Sequence, residues 1–273
     1  MKSNFKQKLR LLVSITVSLV LFTTPFMVKA SPNVPNNFGA PAGFDWEAER
    51  QRQLKLFDEL DKKIQAEAKK QNPNARFYIN PRCCSNSEYR AERNRMNNLY
   101  SSSGGGGSDD GNVEPFPKTT YPGYVLATKD GTTQSSSSFI GHAGLVLSSR
   151  RTVESSPWEN GVYEGSSEDW MGRENGHPKK STLYILMPNV TKYPYKYYDE
   201  TYPASDWAYT QIGKPYNWNY FDRKTKDSYY CSQLVWRAYL DKLDIDLCPG
   251  AWSWVSPGDI IESKELEIFY SWW

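Results

Sequence analysis

Three short runs, Tyr124-Val125-Leu126-Ala127-Thr128, Ala143-Gly144-Leu145-Val146-Leu147 and Thr182-Leu183-Tyr184-Ile185-Leu186, are apolar, β-prone and bounded by turn residues. Helical patterns follow them, one around Ala204 to Ile212 and one from about Cys231 to Leu240. Runs of the first kind read as strands. Strands followed by helices, with no βαβ alternation and no internal repeat, predict an α+β domain.

The strand-rich part begins after Ser101-Ser102-Ser103-Gly104-Gly105-Gly106-Gly107-Ser108. Such a run has the composition of a flexible linker. The expected organisation is a segment over 31–100, a linker over 101–112 and a main domain over 113–273. A chain of 273 residues accommodates one or two domains. The main domain is expected to fold without the residues that precede it.

Those preceding residues have their own order. Lys2, Lys6, Lys8 and Arg10 come before an apolar run from Leu11 to Met27, which ends in Val28-Lys29-Ala30. Residues 1–30 therefore read as a cleaved secretory signal peptide, and the mature protein is expected outside the cytoplasm, secreted or in the cell envelope. Membrane contact is expected only if that segment is retained as an anchor, against which Ser14, Ser18, Thr23, Thr24 and Pro25 interrupt the run. Ser31 to Gly43 is a leader rich in Pro, Asn and Gly. Asp45 then caps an amphipathic helix over Trp46–Lys70, whose Leu54, Phe57, Leu60 and Ile64 recur at helical spacing and are expected to pack within the chain. A second helix is expected over Glu88–Tyr100.

A net charge of +2 from balanced acidic and basic residues gives no basic stripe, so nucleic acid is not an expected partner. Aromatic residues make up 15% of the chain, enough to fill a core and also line a surface groove.

The helix beginning at Cys231 puts a thiol where the polar turn of Asp227-Ser228-Tyr229-Tyr230 gives way to an apolar run. A helix N-terminus and a nearby imidazolium can lower a thiol pKa from about 8.5 to roughly 3.5–7.5. The chain has two histidines. His142, in Gly-His-Ala-Gly at the start of a predicted strand, is placed to serve as a base; His177, in Gly-His-Pro-Lys-Lys, reads as a solvated turn residue. A thiolate attacking a carbonyl, with His142 carrying the proton, gives acyl transfer through a thioester. A third polar group would orient the imidazole.

Gly213-Lys214-Pro215-Tyr216-Asn217-Trp218, followed by Tyr230-Cys231-Ser232-Gln233-Leu234-Val235, resembles the "GxPYxW … CSxLV" block of NlpC-type cysteine peptidases. Here the histidine precedes the cysteine, the order of the circularly permuted, papain-like branch, YiiX/YebB-like. The resemblance covers about Tyr121 to Ser263. It implies a circularly permuted papain-like (NlpC-type) α+β fold, here with an N-terminal helical extension, and no cofactor. It makes Cys231 the nucleophile and His142 the general base. Glu154, in Thr152-Val153-Glu154-Ser155, matches the family's strand-borne acid that orients the imidazole. Tyr216 matches the tyrosine that lines the substrate cleft or assists the oxyanion site, and Pro257-Gly258-Asp259-Ile260 matches a structural closing segment.

The activity that follows is cysteine-dependent hydrolysis of an amide, with peptidoglycan stem peptides the first substrate expected. The alternatives are lipid acyl hydrolysis or acyl transfer on the same fold, or a non-catalytic envelope-binding protein. Four cysteines in an exported chain also admit disulfides: Cys231 with Cys248, or a link among Cys83, Cys84 and Cys248. With no paired CxxC and no HExxH, no zinc site is expected.

Overall fold

A seven-stranded antiparallel sheet organises the chain, and its strands come from both sides of the Gly/Ser run. The computed structural model describes residues 38–75, 77–82, 86–101, 117, 120–129, 141–171, 173–174, 177–178, 182–193, 200–250 and 254–273. The expected signal peptide over 1–30, the expected leader before Phe38, Cys83, Cys84 and the run 102–112 lie outside the described residues. All described residues belong to the unit Pro32–Trp273.

In chain order the elements are α1 (Trp46–Gln71), β1 (Phe77–Ile79), α2 (Asn86–Ser101), β2 (Val125–Thr128), β3 (His142–Ser148), β4 (Arg151–Ser156), β5 (Gly161–Ser166) and α3 (Ser167–Met171). After them come β6 (Arg173–Glu174), β7 (His177–Pro178), β8 (Leu183–Pro188), α4 (Tyr202–Tyr209), α5 (Cys231–Leu243), α6 (Pro257–Glu262) and β9 (Leu266–Trp272). The main sheet runs β1-β9-β8-β2-β3-β4-β5, while β6 and β7 form a separate hairpin. This is the mixed α+β, permuted papain-like architecture that the motif order implied.

Side-chain alternation along each strand gives the sheet two apolar faces, and both are covered. On one, Val125, Ala127, Ala143, Leu145 and Val153 pack under α1, α4, α5 and α6, which contribute Phe57, Ile64, Ala204, Ala208, Leu234, Val235, Ala238 and Ile260. On the other, Leu126, Val146, Ile185 and Phe269 pack with Met96 of α2 and Trp170 of α3. The three runs expected as strands fall on β2, β3 and β8. The last expected helix begins at Cys231 as the polar-to-apolar switch implied, while α4 ends at Tyr209, short of Ile212, in a series of turns.

The N-terminal extension is helical, and it is also part of the core. Asp45 caps α1 by accepting from the Ala48 N–H at 2.9 Å, with Glu47 and Glu49 at the positive end of the helix and Lys69 and Lys70 at the negative end. Phe57 of α1 is fully buried and meets Tyr184 of β8 with ring centroids 6.0 Å apart. The Tyr184 hydroxyl donates to Asp61, and Arg52 pairs with Asp259 of α6 at 2.9 Å. Residues Phe77–Ile79 then pair with Tyr270–Trp272 along the edge of β9. Strands of one sheet thus come from both sides of the run 102–112, with β1 before it paired to β9 after it. A three-residue strand carries too little periodic signal to be read from sequence.

Candidate active site

Cys231 is the first residue of α5, and the residue before it sets that start. Tyr230 is extended (φ −90°, ψ 169°), and its N–H donates to Gln233 Oε1 at 3.2 Å. The same Gln233 oxygen accepts from Asn217 Nδ2 at 2.9 Å, while Gln233 Nε2 donates to the carbonyls of Arg223 and Thr225 at 3.2 Å each. One buried amide thus satisfies an N-terminal donor of the helix and clamps the loop 217–225 beside it. The thiol of Cys231 is buried, and so is the imidazole of His142.

His142 opens β3, and Glu154 lies on the neighbouring β4, opposite Gly144. Alternation puts His142, Gly144, Thr152 and Glu154 on the face that carries Trp170, whereas Ala143 and Leu145 face α5. The imidazole Nε2 is 2.5 Å from Glu154 Oε2, so the remaining ring nitrogen, Nδ1, is the one that faces the thiol. The Cys231 thiol faces His142, whose ring, with the backbone N–H of Ala143, favours its charged form. Helix start and strand start therefore meet at one corner of the sheet.

Glu154 is held at both oxygens. Oε1 accepts from Thr152 Oγ1 at 3.0 Å and from Trp170 Nε1 at 3.0 Å. Tyr163 lies directly across the β4–β5 ladder from Glu154. These contacts give the buried carboxyl group a fixed orientation.

The electrostatics of the pair follow from this arrangement. Burial opposes a charged imidazole, but the hydrogen bonds to Cys231 and Glu154 and their negative charge outweigh it and carry His142 up to about 10. Burial likewise opposes a thiolate, and the hydrogen bond and positive charge of His142, with the Ala143 N–H, hold the Cys231 thiol below its ordinary value. The favoured state is a thiolate–imidazolium pair. Cys248, also a free thiol, goes the other way: burial and the charges of Asp259 and Asp246 push it far above the ordinary range. Cys231 and Cys248 are not bridged to each other, and Cys83 and Cys84 are outside the described residues.

Tyr216 sits in a short crossing segment pinned at both ends. Its N–H donates to the Asn160 carbonyl at 3.2 Å, and the Tyr229 N–H donates to Pro215 at 3.1 Å. Its hydroxyl lies 3.0 Å from that of Tyr220. Burial, with the nearby charges of Tyr220 and Cys231, raises the Tyr216 pKa well above 10, so the phenol is neutral and keeps its proton to donate. Around it, Trp218 packs edge-on at 4.9 Å, and Tyr220 stacks between Phe38, at 4.9 Å, and Trp254, at 6.0 Å.

The structure thus gathers Cys231, His142, Glu154 and Tyr216 around one corner, and leaves His177 at the start of β7 in the separate hairpin. Sequence reasoning missed Trp170, Thr152 and Tyr163. For Thr152 a signal existed, since two residues before Glu154 on a strand means the same face. Trp170 lies in Ser-Glu-Asp-Trp-Met, where nothing local marks it. Among the described residues no group of three or more His, Cys, Asp or Glu is arranged to hold a metal ion.

Residues 127–249 match the model of a family described as "Permuted papain-like amidase enzyme, YaeF/YiiX, C92 family". The uncharacterized protein YycO of Bacillus subtilis (strain 168) is 26% identical to this chain over 127 residues, which are 45% of this chain and 46% of YycO. The chain thus matches just under half the length of that curated relative. A solved structure, described as metalloprotein yiiX from Escherichia coli O157:H7, aligns with a TM-score of 0.40 and 17% identity, covering 55% of this chain and 96% of that one. The segment that matches this family model, 127–249, contains Cys231, His142, Glu154 and Tyr216.

Proposed function

We propose that the protein is a cysteine hydrolase that cleaves amide bonds outside the cytoplasm, with peptides of the cell wall as its substrate. The observation that carries the reading is the buried chain of contacts from Cys231 through His142 to Glu154. A binding protein needs no such relay, because recognition uses neither a lowered thiol pKa nor an oriented imidazolium.

In this reading the Cys231 thiolate adds to the carbonyl carbon, and the negative charge moves to the carbonyl oxygen. The tetrahedral centre then collapses: the C–N bond breaks, and the amine leaves with the proton given up by the His142 imidazolium. A thioester to Cys231 and a neutral imidazole remain. Water attacks the thioester while His142 takes its proton, the C–S bond breaks, and the acid departs with the thiolate–imidazolium pair restored. Glu154 keeps the ring oriented and stabilises its positive charge. The backbone N–H of Cys231 and the Tyr216 hydroxyl are the donors assigned to the transient oxyanion; one such donor is worth about 10²–10³ in rate.

The extracytoplasmic placement rests on the basic, apolar, small-residue order of residues 1–30. The test is turnover by purified protein on muropeptides, with acyl lipids as the parallel arm and Cys231→Ala as control. Release of new amino termini from muropeptides by the parent and not by the variant supports the proposal. Turnover of the lipids alone would replace it with acyl hydrolysis, and turnover of neither would favour a binding role.

A further inference from the structure

Trp170 lies far in sequence from Cys231, yet its side chain meets two members of the relay at once. The indole Nε1–H donates to Glu154 Oε1 at 3.0 Å, and the indole face lies on the His142 ring with centroids 4.9 Å apart and 24° between planes. The residue is 5% exposed. Two features of the sheet make room for it. Gly144, opposite Glu154, has no side chain, and a Cβ there would come within 2.9 Å of Trp170 Cζ2. The five-residue α3 follows β5 immediately and turns Trp170 back over β3 and β4.

From this geometry we propose that Trp170 is a positioning residue of the site: it fixes the His142 ring by stacking and the Glu154 carboxylate by hydrogen bonding, so that Nδ1 stays directed at the thiol. The proposal rests on the hydrolase reading for its consequence, and on the geometry alone for its content. Each contact has a distinct effect. The stacked π-face favours the imidazolium over the neutral ring, since a cation on an aromatic face is stabilised. The N–H···O bond prevents the carboxylate from rotating about its last bond, which would otherwise let Oε2 leave Nε2. Thr152 alone cannot do this, because one donor on Oε1 leaves a hinge where two donors leave none. Trp170 touches the reacting atoms only through these two residues.

The experiment is the rate of Cys231 alkylation by iodoacetamide against pH, which needs no substrate. The groups that face the pair are Glu154 and Thr152 from β4, Tyr163 from β5, and Tyr216 and Tyr220 from the loop before α5, with Tyr230 at its start. A shift of the acid limb therefore reports on the Cys231–His142–Glu154 relay. Trp170→Phe keeps a ring and loses the N–H; it is expected to alkylate about threefold more slowly at pH 6, and Trp170→Leu, which loses both contacts, about tenfold. In a Glu154→Gln background the Phe substitution should add less than about twofold, since the lost N–H acts only through that carboxyl group. A folded Trp170→Phe variant with the parental profile overturns the proposal, as does full multiplication of the losses in the double variant. Should Trp170→Leu fail to fold, the Phe variant decides. A parental Cys231 that alkylates at pH 6 no faster than an unfolded thiol would overturn the reading underneath as well, whereas a normal parental profile unchanged in Trp170→Phe removes Trp170 alone.

Discussion

Gly165 and Glu154 share one small volume: a Cβ on Gly165 would lie 2.1 Å from Glu154 Oε1 and 2.7 Å from Thr152 Oγ1. The carboxyl group occupies the space that a side chain at position 165 would fill. It could move aside only by giving up its donors and with them the bond to His142. Gly165→Ala is therefore expected to reduce kcat by about tenfold or more, with a stability cost of about 1–3 kcal/mol from overpacking. Steady-state kinetics beside a urea titration check this. A variant that loses stability and keeps its kcat would mean that Glu154 is not positioned by this contact.

The relay makes a stronger claim about combined substitutions. Cys231→Ala and His142→Ala should each lower turnover by about 10³ or more, and the double variant should be little worse than either, because the two groups carry a single step. Glu154→Gln keeps an acceptor for the imidazole N–H and loses the charge, so its loss should be smaller. Simple multiplication of the two large losses would show that Cys231 and His142 do not work together.

The pH dependence has a definite sign on each side. The reactive pair requires Cys231 deprotonated, which its lowered pKa favours, and His142 protonated, which holds up to about 10. Turnover should fall in acid as the thiolate takes a proton, and fall again above about pH 10 as the imidazolium loses the proton it must give to the leaving amine. Alkylation needs the thiolate alone, so its rate should drop only on the acid side. Near neutral pH iodoacetamide should label Cys231 and leave Cys248, whose thiol burial keeps protonated. Peptide mapping that finds Cys248 labelled first would contradict the electrostatics described here.

Much of this site was legible because its chemistry is local in sequence. The turn before Cys231 and the apolar run after it announce a helix start, and Gly-His-Ala-Gly announces a strand that another group approaches closely. Glu154 came only with the family resemblance, since one carboxylate on a short strand carries no signal of its own. Trp170 and Tyr163 were not legible, because their roles depend on how β4, β5 and α3 fold back over His142. The edge strand Phe77–Ile79 was missed for a related reason: three residues have no period, and their partner on β9 is nearly two hundred residues away. Reading the Gly/Ser run as a boundary between independent units followed from composition, which reports on flexibility and not on which strands pair.

That last point yields the final prediction. A chain beginning at Val113 would keep Cys231, His142 and Glu154 but lose α1, β1 and α2. The face carrying Val125, Ala127 and Tyr184 would lose Phe57 and Ile64, and the opposite face would lose Met96. β9 would become an open edge bearing Phe269, Tyr270 and Trp272, a template for pairing with other chains. The truncated chain is therefore expected to aggregate or unfold without a cooperative transition, and to lose the low-pH alkylation of Cys231. In the full chain Phe57→Ala, which empties a fully buried site between α1 and β8, should cost about 3–5 kcal/mol while leaving the alkylation profile of the folded fraction unchanged. Thermal melts and alkylation on both proteins make the comparison. Cooperative unfolding of the chain from Val113, with the reactivity of Cys231 intact, would show that the N-terminal helices only decorate a domain complete without them.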